Sequence, residues 1–228
     1  MKHAGKASQA GLRLIWWTLI LLLVVCGGGM LAVVLGSLIA SGAVFLLVLW
    51  ALFAVFTLYF FRDPEARVPQ APNGIVAPAH GKVDLIDETE EPLFVGGRCQ
   101  RISVFLSVID VHVQRAPVGG RVAFAKHTPG QFLSALKTES ALLNENVLIG
   151  IESNERPGER IGVRLIAGVL ARRIVTWVAE NDEVARGERI SLIQFGSRCE
   201  LYLPPGAQVQ VKLGQHVVGG ETVMATRG

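Results

Sequence analysis

The strongest constraint in this sequence is the run from Leu14 to Phe61, which contains no Asp, Glu, Lys, Arg or His. A helix needs about 20 apolar residues to cross a hydrocarbon core of about 30 Å, so this run is long enough to cross twice. Small residues at Gly36-Ser37 and Ser41-Gly42 supply a break between two halves, near 15–35 and 42–61. The run therefore predicts a two-helix transmembrane anchor.

The residues at the ends of this run set its expected orientation. Arg13 precedes it and Arg62 follows it, while Trp16, Trp17 and Tyr59 lie where amphipathic rings favour the membrane interface. Positive flanks are retained on the cytoplasmic side. The apolar part of a cleaved signal peptide is only about 7–15 residues long, which is much shorter than this run. We therefore expect a basic cytosolic tail at 1–13, an anchor at 14–61 and a domain at 62–228 on the cytoplasmic face of the inner cell membrane.

Charge is distributed as unevenly as hydropathy. Lys2, Lys6 and Arg13 leave 19 of the 22 basic residues to balance 19 acidic ones, so residues 62–228 are formally neutral. Nucleic-acid binding relies on an excess of Lys and Arg at the phosphates, and none is expected here. The three cysteines form no CxxC pair and are interpreted as reduced thiols. The five histidines are scattered without the spacing of metal ligands, so no metal site is predicted.

Beyond Phe61 the sequence favours a mostly β (α+β) domain. Short β-branched runs alternate with Gly and Pro, which is typical of strands joined by tight turns. The predicted strands are Ile75–Ala77, Lys82–Ile86, Ile102–Leu106, Val111–Val113, Ile161–Ile166, Arg173–Val178, Ile190–Gln194, Glu200–Leu203 and Val209–Leu213. One helix is predicted at Gln131–Asn144, from apolar residues near helical spacing.

Gly- and Val-rich turns recur at 76–83, 181–187 and 214–221. They resemble the hairpin turns of biotinyl/lipoyl-type β-sandwiches, where small residues let the backbone turn tightly. No lysine stands in a Met-Lys-Met setting, so a swinging-arm carrier is not expected. The turns suggest an architecture and do not identify a function.

Residues 187–198, Gly-Glu-Arg-Ile-Ser-Leu-Ile-Gln-Phe-Gly-Ser-Arg, carry a resemblance to a known family. They are similar to the processing segment of the phosphatidylserine decarboxylase family in its short, membrane-anchored form. Further matching motifs follow in family order: Phe60–Pro64, Phe105–Ser107 with Asp110–Pro117, Asn144-Glu145, and Ile166–Gly168 with Ala171–Ile174. Ordered matches from residue 60 to the C-terminus identify the chain as a member of this family.

The resemblance implies a self-processing enzyme. Ser197 Oγ would attack the carbonyl of Gly196, and the chain would break into residues 1–196 and 197–228, which stay associated. Ser197 would become a pyruvoyl group, the covalent cofactor, which would form a Schiff base with phosphatidylserine. Release of CO2 would then give phosphatidylethanolamine. Membrane lipid is the implied partner, and whether the chain forms a homo-oligomer is left open.

The resemblance implies a role for His112, and the spacing and chemistry of neighbouring residues suggest roles for Asp110 and four arginines. His112 is the expected acid/base, although Val-His-Val alone is also typical of a strand with one polar face. Asp110 lies two residues earlier, on the same face of a strand, and would orient His112. Arginine forks suit oxyanions, so the phosphodiester or carboxylate of the substrate would bind among Arg115, Arg172, Arg173 and Arg198.

One motif departs from the family pattern, since Pro78-Ala79-His80-Gly81 stands where the family usually has Pro-Ala-Asp-Gly. The family's Asp belongs to a triad with a histidine and the serine. A histidine side chain, with an ordinary pKa of about 6.5, is not a constantly ionised carboxylate. Either His80 acts as a base itself, or Asp84, Asp87 or Asp110 supplies the charge, or processing is impaired. We hypothesise direct participation of His80.

Two other functions stay open at this point. One is a non-catalytic, membrane-anchored, lipoyl-like adaptor, although the heptad run of a long helical hairpin is missing from the sequence. The other is a homologue that keeps the fold and has lost processing. Self-cleavage distinguishes the decarboxylase from both.

Overall fold

The computed structural model describes residues 5–31, 37–133, 143–168, 173–194 and 197–228. Contacts between Cα atoms divide the chain into a helical unit, Gly5–Asp63, and a β unit that includes Pro64–Gly228. The predicted boundary between anchor and catalytic domain, at residue 62, lies close to this division.

The helical unit consists of α1 (Lys6–Leu31) and α2 (Ser37–Phe60). Both helices are long and apolar enough to cross a membrane. Trp50 Nε1 of α2 donates a hydrogen bond of 3.2 Å to Thr18 Oγ1 of α1. The prediction placed Ser41-Gly42 in the break between the helices, and this is wrong, because α2 has already begun at Ser37. Gly36 lies outside the described residues.

The β unit contains fourteen described strands. They are β1 (Gly74–Val76), β2 (Gly81–Glu91), β3 (Gly97–Leu106), β4 (Val113–Arg115), β5 (Gly120–Thr128), β6 (Asn146–Ser153), β7 (Arg160–Ala167), β8 (Ile174–Thr176), β9 (Glu183–Val184), β10 (Arg189–Ile193), β11 (Ser197–Leu203), β12 (Ala207–Val209), β13 (His216–Val217) and β14 (Val223–Arg227). The expectation of a mostly β domain is confirmed.

These strands form one large sheet and two small ones. The eight-stranded sheet has the order β13-β2-β3-β11-β7-β6-β5-β9, and the three-stranded sheets have the orders β4-β10-β8 and β1-β14-β12. All the strand pairs are antiparallel. β11 lies inside the large sheet, where Ser197 pairs with Leu106 of β3 and with Ala167 of β7.

The larger apolar core of the described residues has members on all three sheets. Its buried members include Ile102 of β3, Leu201 of β11, Ile190 of β10 and Ala225 of β14. Successive side chains of a strand point to opposite faces of its sheet. Cys199, Leu201 and Leu203 of β11 accordingly belong to this core. Burial of apolar surface, at about 25 cal/mol per Å², is thus the main force that brings the sheets together.

The opposite face of β11 carries buried polar groups. Tyr202 Oη donates a hydrogen bond of 2.6 Å to Glu200 Oε2. The guanidinium groups of Arg101 and Arg164 lie 3.6 and 3.9 Å from the Glu200 carboxylate. Each buried charge on this face therefore has an opposite charge close to it, as low-dielectric surroundings require.

Some elements differ from the sequence predictions. β4 begins at Val113, so His112 precedes the strand, and β12 ends at Val209, so Val209–Leu213 is mostly not a strand. β5 and β6 were missed, since polar residues and glycine interrupt their apolar pattern. Most of the predicted helix at Gln131–Asn144 lies outside the described residues, and its first and last residues form an isolated bridge.

Gly81, the first residue of β2, offers a test of backbone packing. Its φ is +146°, and a Cβ built there would lie 2.2 Å from the backbone oxygen of Phe105. We expect Gly81→Ala to destabilise the protein by roughly 1–3 kcal/mol, because L side chains rarely adopt this φ and the neighbour is rigid backbone. Thermal unfolding of the detergent-solubilised chain measures the loss.

Gly206→Ala is the matched control. Its added Cβ would meet no atom within 4 Å, and its φ is not positive. Equal unfolding temperatures for the two variants would contradict the expected clash at Gly81.

Candidate active site

Three neighbouring strands of the large sheet have their ends side by side at Ser197. Ser197 is the first residue of β11, and its partners Leu106 and Ala167 are the last residues of β3 and β7. We call this boundary, defined by Leu106, Ala167 and Ser197, the Ser197 edge. Antiparallel pairing brings the segments that follow β3 and β7 to the same edge as the segment that precedes β11.

The Ser197 hydroxyl is in an unusual state. The residue is fully buried, and its Oγ has no hydrogen-bond partner among the residues that the structure describes. An unpaired hydroxyl in the interior costs about 1–3 kcal/mol, so such groups call for a functional explanation. Gly196, the predicted carbonyl donor, lies outside the described residues.

Cys199, two residues further along β11, is a nearby alternative nucleophile. Burial raises the pKa of its thiol, which disfavours the thiolate. A thiol is reactive chiefly as the thiolate, so Cys199 serves as a small core residue. Ser197 is therefore the stronger candidate of the two.

His112 is fixed through backbone groups. Its side chain is buried, and Nδ1 lies 2.9 Å from the backbone oxygen of Asp110. Since a carbonyl oxygen only accepts, Nδ1 donates this bond, and a neutral ring then has its lone pair on Nε2. The carbonyl of His112 accepts bonds from Ile193 N at 3.2 Å and from Gln114 Nε2 at 2.8 Å.

Gln114 itself is held by a second side chain. Ser191 Oγ donates to Gln114 Oε1 at 2.7 Å, and both residues are fully buried on paired strands. The sequence analysis missed this pair. Its signal was a glutamine two residues after His112, which places both on one side of an extended segment.

The Asp110 carboxylate contacts groups other than the His112 ring. Oδ2 accepts hydrogen bonds from Ser107 N at 2.8 Å and Ser107 Oγ at 2.6 Å, and Oδ1 lies 2.8 Å from His216 Nε2. Burial alone would raise the pKa of Asp110, but the bonds from Ser107 and His216 lower it below its usual value. Asp110 thus contacts His112 through its backbone and His216 through its carboxylate.

His216 is a further candidate residue, which the sequence analysis did not select. It was one of five scattered histidines, and the pairing that brings it to Asp110 is long-range. β13 places His216 opposite Lys82 and Val217 opposite Gly81. Because His80 directly precedes Gly81, the same pairing brings this half-buried histidine to the same part of the sheet.

His80 packs against a glycine. A Cβ built on Gly219 would lie 3.1 Å from His80 Cδ2, so the small residue leaves room for the ring. His80 therefore lies at the end of the large sheet that also carries Asp110 and His216.

The other two aspartates that were considered have arginine partners. Asp84 forms a bidentate salt bridge with Arg198, with N···O distances of 2.8 and 2.6 Å. Asp87 forms one with Arg101, with distances of 2.9 and 2.6 Å. Of the three, Asp110 is the one that contacts histidine side chains or backbone. It is thus the best placed to supply charge to them.

The predicted substrate arginines occupy different surroundings. Arg198 is fully buried, donates to Ser103 Oγ at 2.6 Å, and lies on the opposite face of β11 from Ser197. Arg115 is fully buried and donates to the backbone oxygens of Gly187 and Pro64, at 2.9 and 2.6 Å. The geometry therefore does not favour substrate contact for these two. Arg172 lies outside the described residues.

Arg173 is exposed and lines a cavity of about 360 Å³ with His127 and Glu145. This cavity lies beside the Ser197 edge, because Glu145 O accepts a hydrogen bond from Ala167 N at 2.9 Å. Arg173 O accepts one from Gln194 N at 3.3 Å, three residues before Ser197. Of the described candidates, Arg173 is the arginine placed to meet an anionic ligand.

Comparisons with known proteins agree with these features. A family model described as phosphatidylserine decarboxylase matches residues 53–225. The phosphatidylserine decarboxylase proenzyme of Symbiobacterium thermophilum is 44% identical over 195 residues, covering 83% of this chain and 90% of that protein. The proenzyme of the same name from Desulfotalea psychrophila is 43% identical over 185 residues, covering 81% and 86%.

The lowered pKa of Asp110 gives a prediction about stability. Its carboxylate stabilises the fold fully above the ordinary value of 3.8, and this contribution is lost as pH falls through the lower folded-state pKa. We expect Asp110→Asn to lower the unfolding temperature by about 2–4 °C at pH 6, with the difference narrowing below about pH 4.

Thermal unfolding of both chains between pH 3 and pH 6 measures this dependence. Glu88→Gln, at an exposed position, is the control and should follow the wild type throughout. A gap between wild type and Asp110→Asn that stays constant down to pH 3 would contradict the assignment.

Proposed function

The chain belongs to the phosphatidylserine decarboxylase family, and we propose that its active site forms by self-cleavage between Gly196 and Ser197. The protein is a carboxy-lyase that converts phosphatidylserine to phosphatidylethanolamine with release of CO2. The observation that carries the proposed site is the buried Ser197 Oγ, which lacks a hydrogen-bond partner among the described residues. A hydroxyl in this state is desolvated, and no described hydrogen bond has to be broken before a base can accept its proton.

The proposed cleavage balances with one water molecule. Ser197 Oγ attacks the Gly196 carbonyl carbon, and the peptide C–N bond breaks to leave an ester and a free amine on residue 197. Removal of the α-proton of residue 197 breaks the Cβ–O bond and releases Gly196 as a carboxylate. The resulting enamine tautomerises, and water replaces its nitrogen, which leaves as ammonia. The products are residues 1–196 and a chain of 197–228 that begins with a pyruvoyl group.

His112 is the proposed general base for this cleavage. Its Nδ1 donates to Asp110 O, so the neutral ring has a lone pair on Nε2 with which to accept the hydroxyl proton. A hydroxyl is a weak nucleophile until such a base assists it. The bonds that Ile193 N and Gln114 Nε2 donate to the His112 carbonyl keep the residue in place through its backbone.

Asp110 is proposed to supply the negative charge that the family pattern has at the position of His80. Asp110 Oδ1 lies 2.8 Å from His216 Nε2, which places this carboxylate beside an imidazole at the same end of the sheet. We retain the hypothesis that His80 takes part directly, since its ring lies at the same end of the sheet.

The residues present fit a pyruvoyl cofactor. The group would take the volume of the Ser197 side chain, at a position where no described hydrogen bond would be broken. When formed, it supplies a carbonyl that takes up the electrons released as CO2 leaves. His112 is the residue proposed to move a proton to or from this group, at Nε2.

The cavity beside the Ser197 edge is the proposed site for the headgroup. Arg173 would pair with the phosphodiester or the carboxylate of phosphatidylserine, because a guanidinium can donate two parallel hydrogen bonds to such oxyanions. Helices α1 and α2 are the proposed membrane anchor, with the β unit on the cytoplasmic side. Biotinyl/lipoyl-like hairpins remain the expected architecture of its turns.

We expect the purified wild-type chain to yield two masses under denaturing conditions. One is residues 1–196, and the other is residues 197–228 lighter by one ammonia than the same chain with an N-terminal serine. Ser197→Ala removes the nucleophile, so its mass should be that of the intact chain. Intact-mass spectrometry and an assay for phosphatidylethanolamine on the same samples give the two readouts.

A single uncleaved mass for the wild type would contradict the proposal and favour the adaptor or the processing-dead homologue. His80→Ala separates the remaining possibilities. Cleavage at the wild-type rate in this variant would leave Asp110 as the group that supplies the charge and remove His80 from the mechanism.

Arg173→Gln should raise the KM for phosphatidylserine by roughly ten- to a hundredfold with a small effect on kcat, since a charge-assisted hydrogen bond contributes about 1.5–3 kcal/mol to binding. Arg173→Lys should restore part of the affinity. The exposed Arg98, at the opposite end of the sheet, provides Arg98→Gln as the control. Equal KM values for Arg173→Gln and Arg98→Gln would exclude Arg173 from headgroup binding.

A further inference from the structure

We propose that exposed apolar side chains around the Ser197 edge contact the lipid bilayer directly and hold the site at the headgroup layer. We call this set the apolar rim: Val108, Ile109, Phe132, Leu133, Leu143 and Leu213. The inference rests on the proposed function, because a substrate whose acyl chains lie in the bilayer must deliver its headgroup to a buried residue. It concerns a surface of the β unit, apart from the two helices.

The distribution of apolar surface is one-sided. In the described part of Pro64–Gly228, seven large hydrophobic side chains are exposed: the six of the apolar rim and Leu93. Leu93 follows β2 at the end of the sheet away from Ser197, since Glu91 pairs with Gly97, the first residue of β3. Scattered exposed apolar residues need no explanation, but a concentration at one edge marks an interaction surface.

Two of the rim residues belong to the turn that leaves β3. Val108 and Ile109 follow Leu106, the strand partner of Ser197, and Ile109 is 66% exposed. Asp110 closes this turn through its bonds to Ser107. The turn that positions His112 thus also presents an apolar tip to the outside.

A buried asparagine connects a second part of the rim to the Ser197 edge. Asn144 Oδ1 accepts from Leu133 N at 2.8 Å, and Asn144 Nδ2 donates to Leu133 O at 2.9 Å and to Ala167 O at 2.8 Å. Ala167 is the other strand partner of Ser197. Asn144, which is 1% exposed, therefore fixes the apolar residues next to it relative to the reactive serine.

The third part of the rim is Leu213, three residues before His216. It is 63% exposed and is flanked by the exposed Lys212, while Lys82 pairs with His216. Apolar tips beside lysines suit a bilayer that contains anionic phospholipid, because the lysines meet phosphates while the apolar groups reach the acyl boundary. This charge pattern, together with the lipid nature of the substrate, identifies the occupant as a bilayer.

The first test places a reporter on the rim. Ile109→Cys and Leu93→Cys are made in the full chain with Cys26→Ser, and each is labelled with an environment-sensitive NBD fluorophore. Cys99 and Cys199 are buried, and burial raises the pKa of both thiols, so they label slowly. In vesicles of phosphatidylcholine with phosphatidylserine, the label at 109 should shift to the blue and be quenched by spin-labelled acyl chains.

The label at 93 should remain in a water-like environment and escape quenching. Equal behaviour of the two labels would overturn the proposal. A blue shift at 109 in detergent without vesicles that grows with protein concentration would also overturn it, because the occupant would then be a second copy of the chain. This test needs no enzyme activity, so it stands apart from the proposed function.

The second test compares substrates. The double variant Val108→Ser and Ile109→Ser should lose about tenfold more kcat/KM on long-chain phosphatidylserine in vesicles than on the dihexanoyl lipid dispersed in solution. Leu93→Ser should follow the wild type on both. Equal losses on the two substrates would overturn the role of the rim. Failure of the wild type on both would instead refute the proposed function.

Discussion

The register of β11 between β3 and β7 is the constraint on which the rest of the site depends. Ser197 pairs with Leu106 and Ala167 at the ends of both neighbours, so a single alignment sets the position of three strand ends. Because side chains alternate along a strand, a shift by one residue would move the serine to the opposite face. That face carries the buried charges of Arg198 and Glu200, which could not be accommodated in the apolar core. The buried charges thus oppose a shift of the register by one residue.

The same arrangement explains how a cleaved chain can keep its shape. Residues 197–228 contribute β11 to the interior of the large sheet and β14 to the middle of the sheet β1-β14-β12. They also supply buried members of the common core, including Leu201, Leu203 and Met224. Breaking one peptide bond at the start of β11 removes none of these contacts. The proposed cleavage therefore changes the chemistry at residue 197 without removing the sheet that positions it.

Much of this structure could be predicted from local sequence pattern, and the failures have physical causes. The uncharged run correctly predicted two helices, and runs of β-branched residues correctly predicted strands such as β7 and β10. The break at Ser41-Gly42 was misplaced because small residues in an apolar helix do not have to end it. The family motif singled out Ser197 and His112 as candidates, but the local sequence does not show which strands pair. His216 and Gln114 were missed for this reason, and Arg198 was expected at the substrate although its partner, Asp84, lies on β2.

The strand pairing changes the interpretation of His80, which stands where the family pattern has an aspartate. A carboxylate is still present at this end of the sheet, on Asp110, and three hydrogen bonds from Ser107 and His216 hold it ionised. It contacts His112 through its own backbone carbonyl, so it can fix the tautomer of that ring without sharing its charge with it. The Asp110 carboxylate contacts the largely exposed ring of His216 and not the ring of His112. We infer that orientation of His112 and charge near the site are supplied by separate atoms of one residue, which would allow a histidine to stand at position 80.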